Sequence, residues 1–267
     1  MSFQPVVPLS GYVGWRFLER TLENQQAAYA ESEPIARATD YFRENIADIG
    51  TAEDLVADRR LLSVALGAFG LDDDIDNKFF IQQILEDGTL DEDSLANRLT
   101  DTRYADFSSA FGFGDSIFPS TSLPSFPDEI VDRFEARQFE RAVGNQDNDL
   151  RLAMNIESGI SDIVSRTDNT DAQWFSVMGN GPVLSVFQTA LGLPSSIANV
   201  NLDQQLEIYQ SRSNAIFGTD QVADFLEPEQ QEDLIRLFLI RSEAANISAA
   251  SSGSTALALL QSAPRLF

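Results

Sequence analysis

The sequence contains no cysteine and no histidine, and Lys78 is its only lysine. The lack of cysteine excludes disulfides and thiol nucleophiles, and without either residue type a structural zinc site or a histidine general base cannot form. Carboxylates, tyrosines, hydroxyls and arginines remain as the side chains that can do chemistry. A cysteine-free chain fits both a reducing cytoplasm and export, so composition does not fix the compartment.

Long apolar runs are also missing. No run approaches the roughly 18 residues that span a bilayer, and the opening MSFQPVVPLSGYVGWRF lacks the positive and apolar regions of a secretory signal. We therefore expect no membrane insertion and no secretory signal peptide.

Positive charge is scarce. The chain has 42 acidic against 18 basic residues, a formal net charge of -24 at pH 7. Such a field repels phosphate backbones and anionic lipid, which argues against nucleic acid and membrane surfaces as partners. With 267 residues and 43% hydrophobic content, the chain can bury a proper core.

No segment shows the strict alternation that strands require, so we predict an all-α, multihelical fold. Apolar periodicity, proline starts and glycine stops predict helices at 10–30, 34–49, 51–70, 75–85, 94–99, 104–111, 128–144, 147–166, 182–192 and 202–217, with another opened by Pro228.

A repeat lies within this helical pattern. LLSVALGAFGL at Leu61–Leu71 returns as VLSVFQTALGL at Val183–Leu193, 122 positions later, and the ungapped alignment gives ten identities in 25 pairs. Two unrelated buried helices would explain the apolar matches, but not the matched Gly70 and Gly192. We therefore predict an internal duplication into two related helical halves.

Composition divides the chain into five parts. We predict an extended lead-in at 1–9, a helical half at 10–111, a Phe/Pro/Ser-rich connector at 112–127, a second half at 128–246 and a small-residue-rich tail at 247–267. The connector, GFGDSIFPSTSLPSFP, is either pinned to the surface by its phenylalanines or a docking loop for a partner.

The acidic turn after the first repeat helix offers the only metal candidates, Asp72, Asp74 and Asp76. Their spacing resembles the start of a calcium loop, but Asn77 and Gln83 stand where glycine and a bidentate glutamate are required. Capping of the next helix is the preferred interpretation. Asp101 and Arg103 are likewise interpreted as a structural pair, so no catalytic residue and no cofactor is predicted.

Several blocks together resemble a known family: GWRFLERT at 14–21, DYFRENI at 40–46, DLVADRRLLSVALGAFGL at 54–71, ANRLTDTRYADF at 96–107, FERAVGNQD at 139–147 and ALGLP at 190–194. They are similar to an alphaproteobacterial family, domain of unknown function 1217, whose genes are commonly found among flagellar genes. The resemblance implies a duplicated multihelical fold and an association with flagellar assembly or motility. It implies no catalytic residues.

These observations lead to one expectation and two alternatives. We expect a non-enzymatic protein-interaction factor of the flagellar system, cytoplasmic or exported by the flagellar apparatus, which binds a protein partner. The candidate partner-binding residues are Trp15, Phe17, Leu18, Phe113, Phe118 and Phe126, with the Leu257–Leu260 tail as a further surface. The alternatives are a small-ligand or metal-binding module with its site between the halves, and an enzyme that uses carboxylates alone.

Overall fold

The computed structural model describes residues 3–262, with side chains described as far as residue 247. Within those residues the chain forms thirteen α-helices and five short 3-10 helices, and no strand, which confirms the all-α prediction. The α-helices are α1 Gly11–Ala30, α2 Glu33–Asn45, α3 Ala52–Ala57, α4 Arg59–Ala68, α5 Lys78–Asp87, α6 Leu95–Arg98, α7 Arg103–Phe111, α8 Phe126–Gly144, α9 Asn148–Arg166, α10 Thr170–Gly179, α11 Gly181–Ala190, α12 Leu202–Phe217 and α13 Pro228–Ser262. The 3-10 helices are Ile46–Asp48, Asp72–Asp74, Ser120–Ser122, Ser195–Asn199 and Val222–Leu226.

Local capping chemistry explains where several helices begin. The Thr51 hydroxyl accepts a hydrogen bond from the Asp54 amide at the start of α3, as the sequence predicted. The single helix predicted over 51–70 is wrong, because Asp58 interrupts it. The backbone of Asp58 is extended, and its carboxylate accepts hydrogen bonds from the amides of Arg60 and Leu61, so a new helix, α4, begins there.

The chain divides into two compact units. Unit 1 comprises Met1–Val6 and Thr21–Ala142, and unit 2 comprises Val7–Arg20 and Val143–Phe267. The division therefore falls within α1 and α8, whereas the sequence placed it in the connector at 112–127. That connector lies wholly in unit 1.

Unit 1 is built around α4, the first repeat helix. Its side chains are buried almost all round, and Phe42, Phe107 and Phe111 belong to the same apolar core. Gly67 allows α8 to approach, because a Cβ there would lie 2.7 Å from the ring of Phe134. Burial of this kind, rather than helix propensity, is the main source of stability for short helices.

Unit 2 holds an aromatic core beside α11, the second repeat helix. The Trp174 ring meets Phe187 edge-on at 5.3 Å between centroids, and Phe187 meets Phe225 at 5.0 Å. The buried indole N–H of Trp174 donates to the carbonyl of Asp220 at 2.7 Å, so its polar atom is satisfied.

The two repeat helices begin and end alike. Asp58 and Asn180, which are 122 positions apart, cap α4 and α11 with their side chains. Gly70 and Gly192 follow the two helices in the left-handed region, with φ of 69° and 66°. The two caps and the two glycines are each 122 positions apart, the same spacing as in the predicted repeat. The duplication itself stays a prediction.

The last helix is the longest. The backbone of α13 is helical as far as Ser262, through most of the predicted tail at 247–267, and residues 263–267 lie outside the described part. The side chains of the Leu257–Leu260 surface also lie outside it. Among the described residues, no helix combines the length and the hydropathy needed to cross a membrane.

Candidate interaction surface

Two loops of unit 1 that are hydrogen-bonded to each other expose large apolar side chains. Leu90, in the loop after α5, is 79% exposed, while Ile117 and Phe118, in the loop after α7, are 92% and 79% exposed. We call these three residues the apolar loop tip. Exposed apolar surface on a folded protein is a common mark of an interaction site.

Asp115 joins the two loops. Its Oδ1 accepts hydrogen bonds from the amides of Thr89, at 2.5 Å, and Leu90, at 3.1 Å. Its Oδ2 accepts from the Thr89 hydroxyl at 2.8 Å. One carboxylate thus fixes the turn that carries Leu90 to the loop that carries the other two apolar residues.

A pair of glycines lets the two backbones touch. A Cβ on Gly114 would lie 2.5 Å from the amide nitrogen of Gly88 and 2.8 Å from its Cα, which no real side chain tolerates. Gly88 also has φ of 67°, a conformation that side chains strain. Both positions therefore require glycine for the loops to meet.

Further hydrogen bonds hold each loop. The Asn97 side chain of α6 donates to the carbonyls of Thr89 and Asp91, at 2.8 Å each. The Ser116 amide donates to the carbonyl of Gly112 at 3.0 Å, closing the turn that precedes Ile117. The apolar side chains are therefore presented on an ordered backbone.

The phenylalanines of the connector separate into two groups. Phe118 is exposed, but Phe126 is buried and meets Phe111 edge-on at 5.0 Å between centroids. Phe113 is half-buried and stacks on Phe111 at 5.8 Å. Phe126 packs the core and is not free to bind a partner, because burying an aromatic ring there stabilises the fold.

Two of the three residues of the predicted N-terminal surface are also part of the interior. Trp15 and Leu18 are buried and Phe17 is half-buried. Their spacing places Trp15 and Leu18 on one face of α1, and burial of that face stabilises the helix in the folded chain. These two residues are therefore core residues, not a partner-binding surface.

The acidic turn does not form a metal site. The three carboxylates bind different partners: Asp72 pairs with Arg141 (2.8 Å), Asp74 accepts from the Tyr104 hydroxyl (2.6 Å) and Asp76 pairs with Arg59 (2.6 Å). Burial and the hydrogen bond to Asp74 raise the pKa of Tyr104 to about 12. No group of three or more Asp or Glu within the described ranges could hold a metal ion.

Asp101 and Arg103 form a structural pair. The guanidinium binds the carboxylate at 2.6 Å and also donates to the carbonyl of Gly70, at the end of α4. The hydrogen bonds from Arg103 hold the pKa of Asp101 below its ordinary value, although partial burial opposes them. The pair stabilises the C-terminal end of the repeat helix.

A solvent-open depression of about 550 Å³ lies elsewhere in unit 1, lined by Asp48, Ile49, Asp54, Ala57, Asp58 and Arg59. Two of its carboxylates are already bound. Asp54 accepts from the Thr51 hydroxyl at 2.6 Å, and Asp58 accepts from the Tyr41 hydroxyl at 2.7 Å while it caps α4. The depression therefore lacks the enclosure and the free convergent groups of an active site.

Sequence reasoning found part of the apolar loop tip. The composition of the connector singled out Phe118, but Leu90 and the role of Asp115 were missed. Gly88 after a helix was the one local signal of a special turn. Nothing in the sequence marks a contact between loops 25 residues apart, because the bond from Leu90 to Asp115 depends on how α5 and α7 pack.

Comparison with known proteins agrees with this fold. The family model described as protein of unknown function (DUF1217) matches residues 68–230, more than half of the chain. The crystal structure of a protein from Agrobacterium tumefaciens superimposes with a TM-score of 0.72 at 24% identity, over 91% of this chain and 99% of that chain. At this identity the likeness shows the fold alone. No functionally curated protein matches the chain.

Proposed function

The chain belongs to the DUF1217 family of unknown function, and we propose that it works through protein contacts, docking a segment of a partner on the apolar loop tip. The supporting observation is that three large apolar side chains are each at least 79% exposed on loops held by Asp115. Because the loops are already ordered, binding loses little further backbone entropy. Aromatic anchors such as Phe118 contribute disproportionately to interfaces.

We place the partner in the bacterial flagellar system. The support is the resemblance to a family whose genes are commonly found among flagellar genes. In this proposal the protein is a non-enzymatic accessory, assembly or structural factor. The ligand-binding and carboxylate-enzyme alternatives have no comparable observation, since two of the three carboxylates in the open depression are already used in helix capping.

The docking surface can be tested with a matched pair of phenylalanines. Phe118 and Phe79 are 79% and 80% exposed, both in unit 1, but only Phe118 belongs to the apolar loop tip. A photo-crosslinking amino acid placed at each position in living cells should trap a discrete protein from position 118 and none from position 79. Equal crosslinking at the two positions, or none at 118, would contradict the docking surface.

The flagellar assignment has its own test. Deleting the gene should reduce swimming or filament number, and the wild-type gene and the Phe79→Ser variant should both restore it. Phe118→Ser combined with Ile117→Ser should fail to restore it, while the variant protein accumulates to normal levels. Normal motility and filament number in the deletion strain would remove the flagellar part and leave the docking surface standing.

A further inference from the structure

The loops that carry the apolar loop tip have negative charge only. Residues 86–97 and 112–127 together contain six acidic residues and no lysine or arginine. The six are Glu86, Asp87, Asp91, Glu92, Asp93 and Asp115. The nearest basic residue along either loop is Arg98, at the end of α6. The apolar side chains are thus flanked by carboxylates of one sign.

This charge is not neutralised within the described chain. At the acidic turn of the same unit, Asp72 and Asp76 pair with Arg141 and Arg59. None of the six carboxylates pairs with an arginine or lysine among the described residues, and all except Asp115 belong to exposed residues. Glu86 and Asp87 lie at the end of α5, where each accepts a hydrogen bond from a neutral glutamine, and the other four lie in the loops. Charges spaced within a Debye length of roughly 8 Å add to one local field, so a partner meets apolar contact and negative potential together.

We infer that the segment docking on the apolar loop tip is cationic and apolar, with large hydrophobic side chains flanked by Lys or Arg. This inference rests on the proposed docking function. Apolar contact with the tip provides affinity. The flanking cations match the carboxylates that form no ion pair, and they favour this partner over neutral or acidic ones. A second copy of the chain is a poor occupant, because each copy brings the same acidic loops and a net charge of -24.

Three synthetic peptides of equal length test the chemistry on the full-length protein. The first places Leu and Phe on one helical face with Lys on either side, the second replaces Lys with Glu, and the third keeps Lys but replaces Leu and Phe with Ser. Fluorescence anisotropy should show binding of the first peptide alone. Its affinity should fall at least about tenfold between roughly 0.05 and 0.3 M salt.

Two variant pairs locate the binding. The double variant Ile117→Ser/Phe118→Ser should lower the affinity for the first peptide at least about tenfold, whereas Phe79→Ser should leave that affinity unchanged. Neutralising the loop with Asp91→Asn, Glu92→Gln and Asp93→Asn should weaken it several-fold. The matched control neutralises three exposed carboxylates of unit 2, Glu157, Asp203 and Glu207, and should change it less than about twofold. Circular dichroism and urea unfolding check that each variant is folded.

The outcomes separate this inference from the proposed function. If the Glu peptide binds as well as the Lys peptide and the Ile117/Phe118 variant loses both, the cationic chemistry is overturned and the docking surface stands. If the Ser peptide binds equally and the variant changes nothing, the protein attracts cations without docking, and both ideas fail. Concentration-dependent dimers that the Ile117/Phe118 variant abolishes would make a second copy the occupant. Absence of any binding overturns the cationic segment, while the crosslinking experiment still decides the surface.

Discussion

Replacing Asp115 with alanine tests whether one carboxylate orders the loops that carry the apolar loop tip. The change removes the acceptor for the amides of Thr89 and Leu90 and for the Thr89 hydroxyl. Nothing else described in the structure would hold these three donors, so water must replace the carboxylate. The turn that carries Leu90 should then open more often.

The expected increase in local opening follows from the loss of the three hydrogen bonds. A hydrogen bond to a charged group contributes about 1.5–3 kcal/mol when it is well shielded. These bonds are partly exposed, so water compensates for much of each loss, and we assign about 2 kcal/mol to the whole set. Because 1.4 kcal/mol corresponds to a factor of ten, local opening should become roughly 30-fold more frequent. Asp115→Asn keeps one acceptor oxygen and should give about a fivefold effect.

Amide hydrogen exchange measures this opening directly, since the protected amides are the hydrogen-bond donors themselves. Exchange at Thr89 and Leu90 should accelerate in Asp115→Ala, while the amides of the α4 core keep their protection. Asp93→Ala is the matched control, because it removes the same charge from the loop that carries Leu90, and the Asp93 side chain makes no hydrogen bond or ion pair in the described structure. Equal exchange rates in the two variants would refute the role assigned to Asp115.

Three further changes probe the fold by urea unfolding. Gly67→Ala should lower the free energy of unfolding by about 1–3 kcal/mol through overpacking, since its Cβ would lie 2.7 Å from a phenylalanine ring of α8. Gly179→Ala is the control and should stay near wild type, because nothing lies within 4 Å of its Cβ. Leu18→Ala should cost about 2–5 kcal/mol because Leu18 is fully buried, and a near-neutral effect would return Leu18 to the surface. Asp101→Asn should destabilise at neutral pH. Arg103 lowers the pKa of Asp101 in the fold, so the stabilisation by the ionised carboxylate is complete above the ordinary carboxyl pKa of about 3.9 and is lost as pH falls through the lowered value. The stability difference between Asp101→Asn and wild type should therefore vanish in acid. A difference that persists in acid would contradict an ionic origin.

Features encoded within a few residues were predictable from the sequence. The Thr51 cap and the glycine stops at Gly70 and Gly192 depend on side chains or conformations local to the helix end. The helix break at Asp58 was missed because apolar periodicity continues across it. Only the capping bonds to the next amides, which the structure shows, reveal that the helix restarts.

Burial was harder to predict than helix position. Trp15 lies in a predicted helix and Phe118 in the predicted connector. From the sequence, both were predicted to bind a partner because both are large aromatic residues. One is in the core and the other is in solvent, because burial depends on packing against elements that are distant in sequence. The partners of Asp72, Asp74 and Asp76 were unpredictable for the same reason, since each comes from another part of the chain.

The contact between Gly88 and Gly114 has a consequence for how this family can diversify. The side chains of Leu90, Ile117 and Phe118 are so exposed that exchanging them should change folding stability by no more than about 0.5 kcal/mol. The two glycines, by contrast, accept no side chain without separating the loops. Under the docking proposal, the positions that would choose the partner are therefore separate from the positions that set the shape of the loops. If the tip docks a partner as proposed, a few surface substitutions would change the binding preference while the protein still folds as well as before.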